Sequence, residues 1–185
     1  MDKIEVRNIF AAVFTKKILD PLLAILDPKE VKFWGTEGTI KYLKSKGFNA
    51  QSVVSGFDFD GRVKTIDRNT FIRILADRAK KRHLDELEKL GLELIDLVVV
   101  DLYKPDSGNF PESMDIGGQA LIRAAIKNYK YEALAFDAES ILNLVEELKS
   151  KRGETSLAFR KAQAKKAAKF IAQRAKLEAE LFNNQ

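Results

Sequence analysis

Apolar positions in this chain fall into a few short unbroken runs, separated by longer stretches in which they recur every three or four residues. Two periods alternating in this way predict strands interleaved with helices. The first run, Ile9-Phe10-Ala11-Ala12-Val13-Phe14, ends the segment from Ile4 to Phe14 and predicts a buried strand. A helix is expected over Lys16 to Leu26, with Ile18, Leu22, Leu23 and Leu26 on one face. Pro21 requires it to start late or kink, and Asp27-Pro28 closes it as a turn. Val31 to Trp34 predicts a second strand. Ile40, Tyr42 and Leu43 then define a helix that Lys46-Gly47 stops, and Ala50 to Val54 is a third strand candidate. A loop is expected over Ser55-Gly56-Phe57-Asp58-Phe59. Thr70 to Leu90 is expected to be mostly helical, up to Gly91. Leu94 to Leu102 contains Leu97-Val98-Val99-Val100, an apolar run typical of a strand covered on both faces in a parallel sheet. A helix should open at Asp115-Ile116-Gly117-Gly118 and run through Ala120, Leu121, Ala124 and Ala125 to Asn128. A last strand is expected at Glu132 to Phe136, then a helix from Ser140 to Lys149. After Arg152-Gly153, Thr155 to Phe182 predicts one long helix, with Ala164, Ala168, Ile171 and Ala175 along one face.

The expected fold is a three-layer α/β/α sandwich, doubly wound around a mostly parallel sheet. The 185 residues suit a single domain. Residues 1–153 would form the α/β core, and 154–185 a C-terminal helix packed on the domain or on a dimer partner.

Composition changes this picture mainly by exclusion. There is no cysteine, which removes disulfide scaffolds, thiol nucleophiles and cysteine-based zinc sites. The single histidine, His83, stands among Lys80, Lys81, Arg82 and Asp85, where a solvated face is expected and no chemistry is assigned. No metal or cofactor is expected. The chain opens with no signal peptide and contains no apolar run long enough to span a bilayer. A cytoplasmic protein without membrane contact is expected. The formal charge is +5, and Lys161, Lys165, Lys166, Lys169, Arg174 and Lys176 carry much of the excess. That run reads as a solvated helix face, and a nucleic-acid partner is not expected from it. A moderate positive field suits any anionic small molecule.

Four stretches carry candidate chemistry. Asp60-Gly61-Arg62-Val63-Lys64-Thr65 sets two cations and a hydroxyl beside a glycine that permits close backbone approach. Gly35-Thr36-Glu37-Gly38-Thr39, between a strand and a helix, either offers amides and hydroxyls to an anion or simply caps the helix. Asp101-Leu102-Tyr103 closes the long strand, where open α/β sheets place their ligands. Asp115 either caps the next helix or faces a ligand, with Gly117-Gly118 allowing close approach. Lys127 lies near the end of that helix, where the dipole favours a cation in any case. Neither a dinucleotide-binding glycine fingerprint nor a P-loop is present.

Taken together and in order, Gly35 to Thr39, Asp60 to Thr65, Leu94 to Tyr103 and Asp115 to Asn128 resemble the IMP cyclohydrolase domain of the bifunctional AICAR transformylase/IMP cyclohydrolase family. That domain belongs to the methylglyoxal-synthase-like fold group. The resemblance spans nearly the whole chain, without the transformylase domain. It implies closure of 5-formamidoimidazole-4-carboxamide ribonucleotide (FAICAR) to IMP with loss of water. It further implies catalytic roles for Lys64 and Tyr103, polarising the formyl oxygen, and for Asp115 and Lys127, handling protons and orienting the carboxamide. Substrate binding would fall to Arg62, Thr65, Thr36, Gly38, Thr39, Asp101, Gly117 and Gly118. A homodimer is expected, with a separate formyltransferase supplying the substrate.

The chain also departs from that family. The serine-rich turn after the first strand is replaced by Ala11-Ala12-Val13-Phe14-Thr15. Glu37 enters the glycine/threonine turn, and Asp101 stands where asparagine is usual. Ile66-Asp67-Arg68-Asn69-Thr70-Phe71 replaces a His-Pro and a later His-Gly-Gly. A carboxylate beside a phosphate opposes binding unless it is paired, and Lys16 or Lys17 would have to compensate. The other reading is therefore a non-catalytic, regulatory nucleotide-binding domain on the same fold.

Overall fold

The unbroken apolar runs form the middle of a parallel sheet. The computed structural model describes residues 2–54, 56 and 59–183; most of the loop expected over 55–59 lies outside them. The strands β2 (Asn8–Val13), β3 (Lys32–Gly35), β4 (Asn49–Ser52), β5 (Leu97–Asp101) and β6 (Ala133–Ala135) form a five-stranded sheet in the order β4-β3-β2-β5-β6. Every pairing in it is parallel.

Residues alternate between two cores. Ile9, Ala11, Val13, Leu97 and Val99 face one side, with Leu22 and Leu23 of α1 (Asp20–Leu23), Ile40 and Leu43 of α2 (Glu37–Ser45), and Leu144 and Leu148 of α6 (Ala138–Ser150). Phe10, Val98 and Val100 face the other, with Ile74 of α3 (Arg68–Leu75), Leu121 and Ala125 of α5 (Ile116–Lys127), and Ala167 and Ile171 of α7 (Leu157–Asn183). Both faces of β2 and β5 are covered, so neither strand has a polar side to interrupt its run. The expected three-layer α/β/α fold with a long C-terminal helix is what forms. Among the described residues no helix is long and apolar enough to cross a membrane.

Several elements differ from expectation. The segment from Ile4 is two strands, not one. Lys3–Glu5 (β1) leaves the sheet and pairs antiparallel with Glu154–Ser156 (β7), so α7 starts at Leu157. The break at Arg7 and Asn8 is fixed by Asp96, whose Oδ2 accepts both backbone N–H groups at 3.1 and 2.8 Å. The first helix begins as a 3-10 turn over Lys16–Leu19 and becomes α-helical at Asp20, with Pro21 in its first turn. The long helix expected over Thr70 to Leu90 is divided into α3 and α4 (Lys81–Lys89). Asn128 Nδ2 donates to the carbonyls of Ile74 and Ala76 at 2.6 and 3.2 Å, ending α3. The Asp77 N–H then donates to His83 Nδ1 at 3.0 Å and its carboxylate accepts from Ala79, turning the chain into α4. His83 thus closes a turn.

Sheet order positions the site. From β2 the chain moves outward through β3 and β4, then returns to lay β5 and β6 on the other side of β2. The carboxyl ends of β2 and β5 flank this switch point, and connections leaving it in opposite directions open a crevice there.

Candidate functional site

A cleft of about 950 Å³ occupies that crevice. The exits of β2 and β5, the start of α2, the loop from Asp60 to Thr65, the loop before α5 and the first turn of α5 all contribute walls. Arg62, Lys64, Thr65, Tyr103 and Asp115 line it, as do Thr36, Gly38, Asp101, Gly117 and Gly118.

Thr39 and Lys127 do not. The Thr39 side chain is buried, with its hydroxyl tied to β2: it accepts from the Val13 N–H at 3.2 Å and donates to the Val13 carbonyl at 3.3 Å. It braces the start of α2 against the sheet. Lys127 ends the helix that Ile116 begins, about 16 Å away at ~1.5 Å per residue, and is exposed. A single chain does not bring it to the cleft.

The loop carrying Lys64 is shaped by two close approaches. Gly61 has φ +89, and a Cβ there would lie 2.6 and 2.7 Å from Lys64 Cε and Nζ. Only glycine gives both the left-handed backbone and the room for the lysine to fold back. At the other end of the loop, a Cβ on Gly117 would meet Thr65 Oγ1 at 1.9 Å. Two motifs far apart in sequence therefore dock directly. Arg62 reaches across the mouth to pair with Glu112.

Asp115 caps α5, its Oδ1 accepting from the Gly118 N–H at 2.7 Å, and it also faces the cleft. Burial pushes its carboxyl above the usual carboxylate range; the Gly118 amide and Arg174 oppose this, while Glu178 and Asp101 add to it. Burial, then the Asp115 carboxylate, push the Tyr103 phenol up. Its hydroxyl donates to the Met114 carbonyl at 3.1 Å.

At the opposite wall, Lys16 is drawn in by the β2 exit turn. Its ammonium donates to the Val13 and Phe14 carbonyls and lies 3.8 Å from where a Gly38 Cβ would stand. Burial lowers its pKa; Asp101 resists this and Lys64 adds to it. The Asp101 carboxylate is itself engaged, accepting the Thr15 N–H at 2.9 Å. It thereby holds the turn that carries Phe14 and Lys16. An ammonium beside the first turn of α2, where unpaired amides give a positive helix end, makes that wall a place for an anion.

Sequence reasoning missed the contribution of α7. Arg174 donates to the Tyr103 carbonyl at 3.0 Å. Glu178 is buried and accepts from Gln119 Nε2 at 2.7 Å, and the Phe182 ring lies 4.6 Å from that of Phe110. These residues recur every four positions, on one helical face. Among so many lysines and glutamates, nothing in the spacing marks that face as the one docked behind the site. Among the described residues no group of three or more His, Asp or Glu side chains could hold a metal ion.

Fold and site together define a class: a doubly wound α/β domain with a polar, cation-bearing cleft at its topological switch point. Comparison with known proteins places it more closely. No family model matches the chain. The bifunctional purine biosynthesis protein PurH of Rhizobium etli is 34% identical over 178 residues, covering 90% of this chain and 33% of that protein. PurH of Clostridium kluyveri is 38% identical over 167 residues, covering 84% of this chain and 33% of its own length. The crystal structure of ForH matches with a TM-score of 0.81 at 27% identity, covering 96% of this chain and 97% of ForH. The chain is a relative of the bifunctional purine biosynthesis protein PurH, as the four motifs implied. It spans about a third of the length of those curated relatives.

Proposed function

We propose that the cleft binds FAICAR and closes it to IMP, releasing water. The carboxamide nitrogen attacks the formyl carbon and forms the new C–N bond, and the formyl oxygen becomes an oxyanion. Lys64 and Tyr103 stabilise that oxygen by charge and hydrogen bonding. Asp115 accepts the nitrogen-bound proton, a step suited to a carboxylate whose pKa is raised toward the working pH. Two protons then reach the oxygen, the one Asp115 has taken from the carboxamide nitrogen and one given up by the formamido nitrogen as its C=N bond forms; the C–O bond breaks, water leaves and the purine ring is complete. Lys16 and the α2 N-terminus hold the phosphate. The proposal gives Lys127 no part within one chain. A homodimer in the cytoplasm, supplied by a separate formyltransferase, completes the reading.

The observation that carries it is the convergence of Lys64, Tyr103 and Asp115, from three separate segments, on one cleft at the switch point. A second reading, a nucleotide-binding regulatory domain without turnover, is favoured by Glu37 at the anion-holding wall. The test is ultraviolet detection of IMP formation from FAICAR by wild type and Lys64→Ala. Loss of turnover in the variant supports the cyclohydrolase, and unchanged turnover refutes the role of Lys64. Saturable nucleotide binding by a wild type that forms no IMP selects the second reading.

A further inference from the structure

We propose that Phe14, flanked by Tyr103, is an aromatic platform on which the planar ring of the ligand stacks, so that the site selects ring-bearing nucleotides over sugar phosphates. This rests on the nucleotide-binding reading of the cleft and adds a specificity residue to it.

Phe14 is 68% exposed, more than any other large apolar side chain among the described residues. It is one of the residues that line the cleft. A phenylalanine left this exposed at the mouth of a cleft forgoes the burial that normally places it, and a ligand ring laid against it restores that burial.

The backbone around it is firmly held. Val13 pairs with Asp101 at the end of the β2–β5 ladder, and the Phe14 N–H donates to the Asp101 carbonyl at 3.4 Å. Thr15 is tied to the Asp101 carboxylate, and the Lys16 ammonium folds back on the Val13 and Phe14 carbonyls. The ring is therefore presented by a fixed turn at the switch point.

Its neighbour Tyr103 lies 6.0 Å away, centroid to centroid, at an interplanar angle of 55°. The two rings are tilted against each other and do not stack face to face, so the Phe14 face stays open to the cleft. Two residues further on stands Lys16, at the anion-holding wall. A cation and an exposed aromatic ring lining one cleft supply the two kinds of contact that a phosphate and a heteroaromatic ring joined by a sugar require.

The test compares binding of IMP and of ribose 5-phosphate by calorimetry, in wild type, Phe14→Ser and Phe14→Tyr. Base–aromatic stacking of the usual strength predicts that Phe14→Ser weakens IMP binding about tenfold, with ribose 5-phosphate changed less than about twofold. Phe14→Tyr, which keeps the ring, retains IMP affinity. Phe14 is exposed, and matching thermal unfolding curves would confirm that each variant folds. Unchanged IMP affinity in Phe14→Ser, equal weakening of both ligands, or a wild type that binds IMP no better than ribose 5-phosphate would each overturn the proposal. Turnover is not read here. A protein that binds IMP through Phe14 yet forms none from FAICAR would refute the cyclohydrolase and leave the platform standing.

Discussion

The contact between Gly117 and Thr65 makes the sharpest test of how the site is held together. Gly117 is the second residue of α5, a position where alanine would ordinarily be the better helix former by about 1 kcal/mol. Here an added Cβ would stand 1.9 Å from Thr65 Oγ1 and 3.3 Å from Thr65 Cβ. Thr65 is buried, so it cannot simply swing into solvent. Overpacking costs about 1–3 kcal/mol, and a 1.9 Å approach to a buried side chain belongs to the upper part of that range, about 2–3 kcal/mol, which outweighs the propensity gain. Gly117→Ala is therefore expected to unfold several degrees earlier, at roughly 2–4 °C per kcal/mol for a chain of this size. Thr65→Ala removes the colliding oxygen and leaves only the 3.3 Å approach. The double variant should then be more stable than Gly117→Ala alone, a coupling of about 1–2 kcal/mol. Function should follow geometry. Lys64 is adjacent to Thr65, and a displacement of about 1 Å at a reacting group can lower turnover ~100-fold. Thermal unfolding of the two single variants and the double variant, with IMP formation measured in parallel, completes the cycle. A Gly117→Ala protein at least as stable as wild type, or strictly additive effects, would refute the docking of the two motifs.

Two further outcomes follow from buried carboxyls. Both Glu132 oxygens are buried without a hydrogen-bond partner, and burial raises its pKa well above 4.5, Arg78 opposing and Asp96 adding. The folded protein then holds this proton to higher pH than the unfolded chain. Its stability falls as pH rises above about 4.5, by at most ~1.4 kcal/mol per pH unit, until the folded pKa is passed. Glu132→Gln should flatten that slope in urea unfolding followed through the buried Trp34; an unchanged slope, or a less stable variant at neutral pH, would show that Glu132 is ionised and paired. Asp115 must be ionised to accept a proton, and its pKa is raised above 3.8. The rate of IMP formation should accordingly fall as the solution is acidified, on a limb displaced above the ordinary aspartate value, and a rate that stays flat down to that ordinary value would remove Asp115 as the base.

Much of the fold was legible in the sequence because its causes are local. β2 and β5 declare themselves as unbroken apolar runs because both of their faces are buried. α5 announces its start through Asp115, which accepts from the N–H three residues on. Tyr103 and Asp115 of the candidate site were likewise legible beside a strand end and a helix start, while Lys64 stood out through its glycine-bearing motif and the resemblance that motif carries.

What only the tertiary structure decided depends on partners distant in sequence. The stretch from Thr70 to Leu90 has a continuous helical pattern, and it breaks because Asn128, just past the end of α5, takes up the carbonyls of Ile74 and Ala76. β1 leaves the sheet because Asp96 claims the amides at Arg7 and Asn8 and because Glu154–Ser156 offers an edge. Thr39 looked like a ligand group until the fold placed β2 against its hydroxyl. Lys127 and Asp115 read as neighbours in one motif, yet the helix between them carries the lysine to the opposite end of the domain. Arg174 and Glu178 came to back the site, through the Tyr103 carbonyl and Gln119, only when α7 docked behind α5. Local propensity and burial pattern determine which segments become strands and helices. Which polar groups meet is determined by packing, since buried backbone donors and acceptors find their partners wherever the fold brings one.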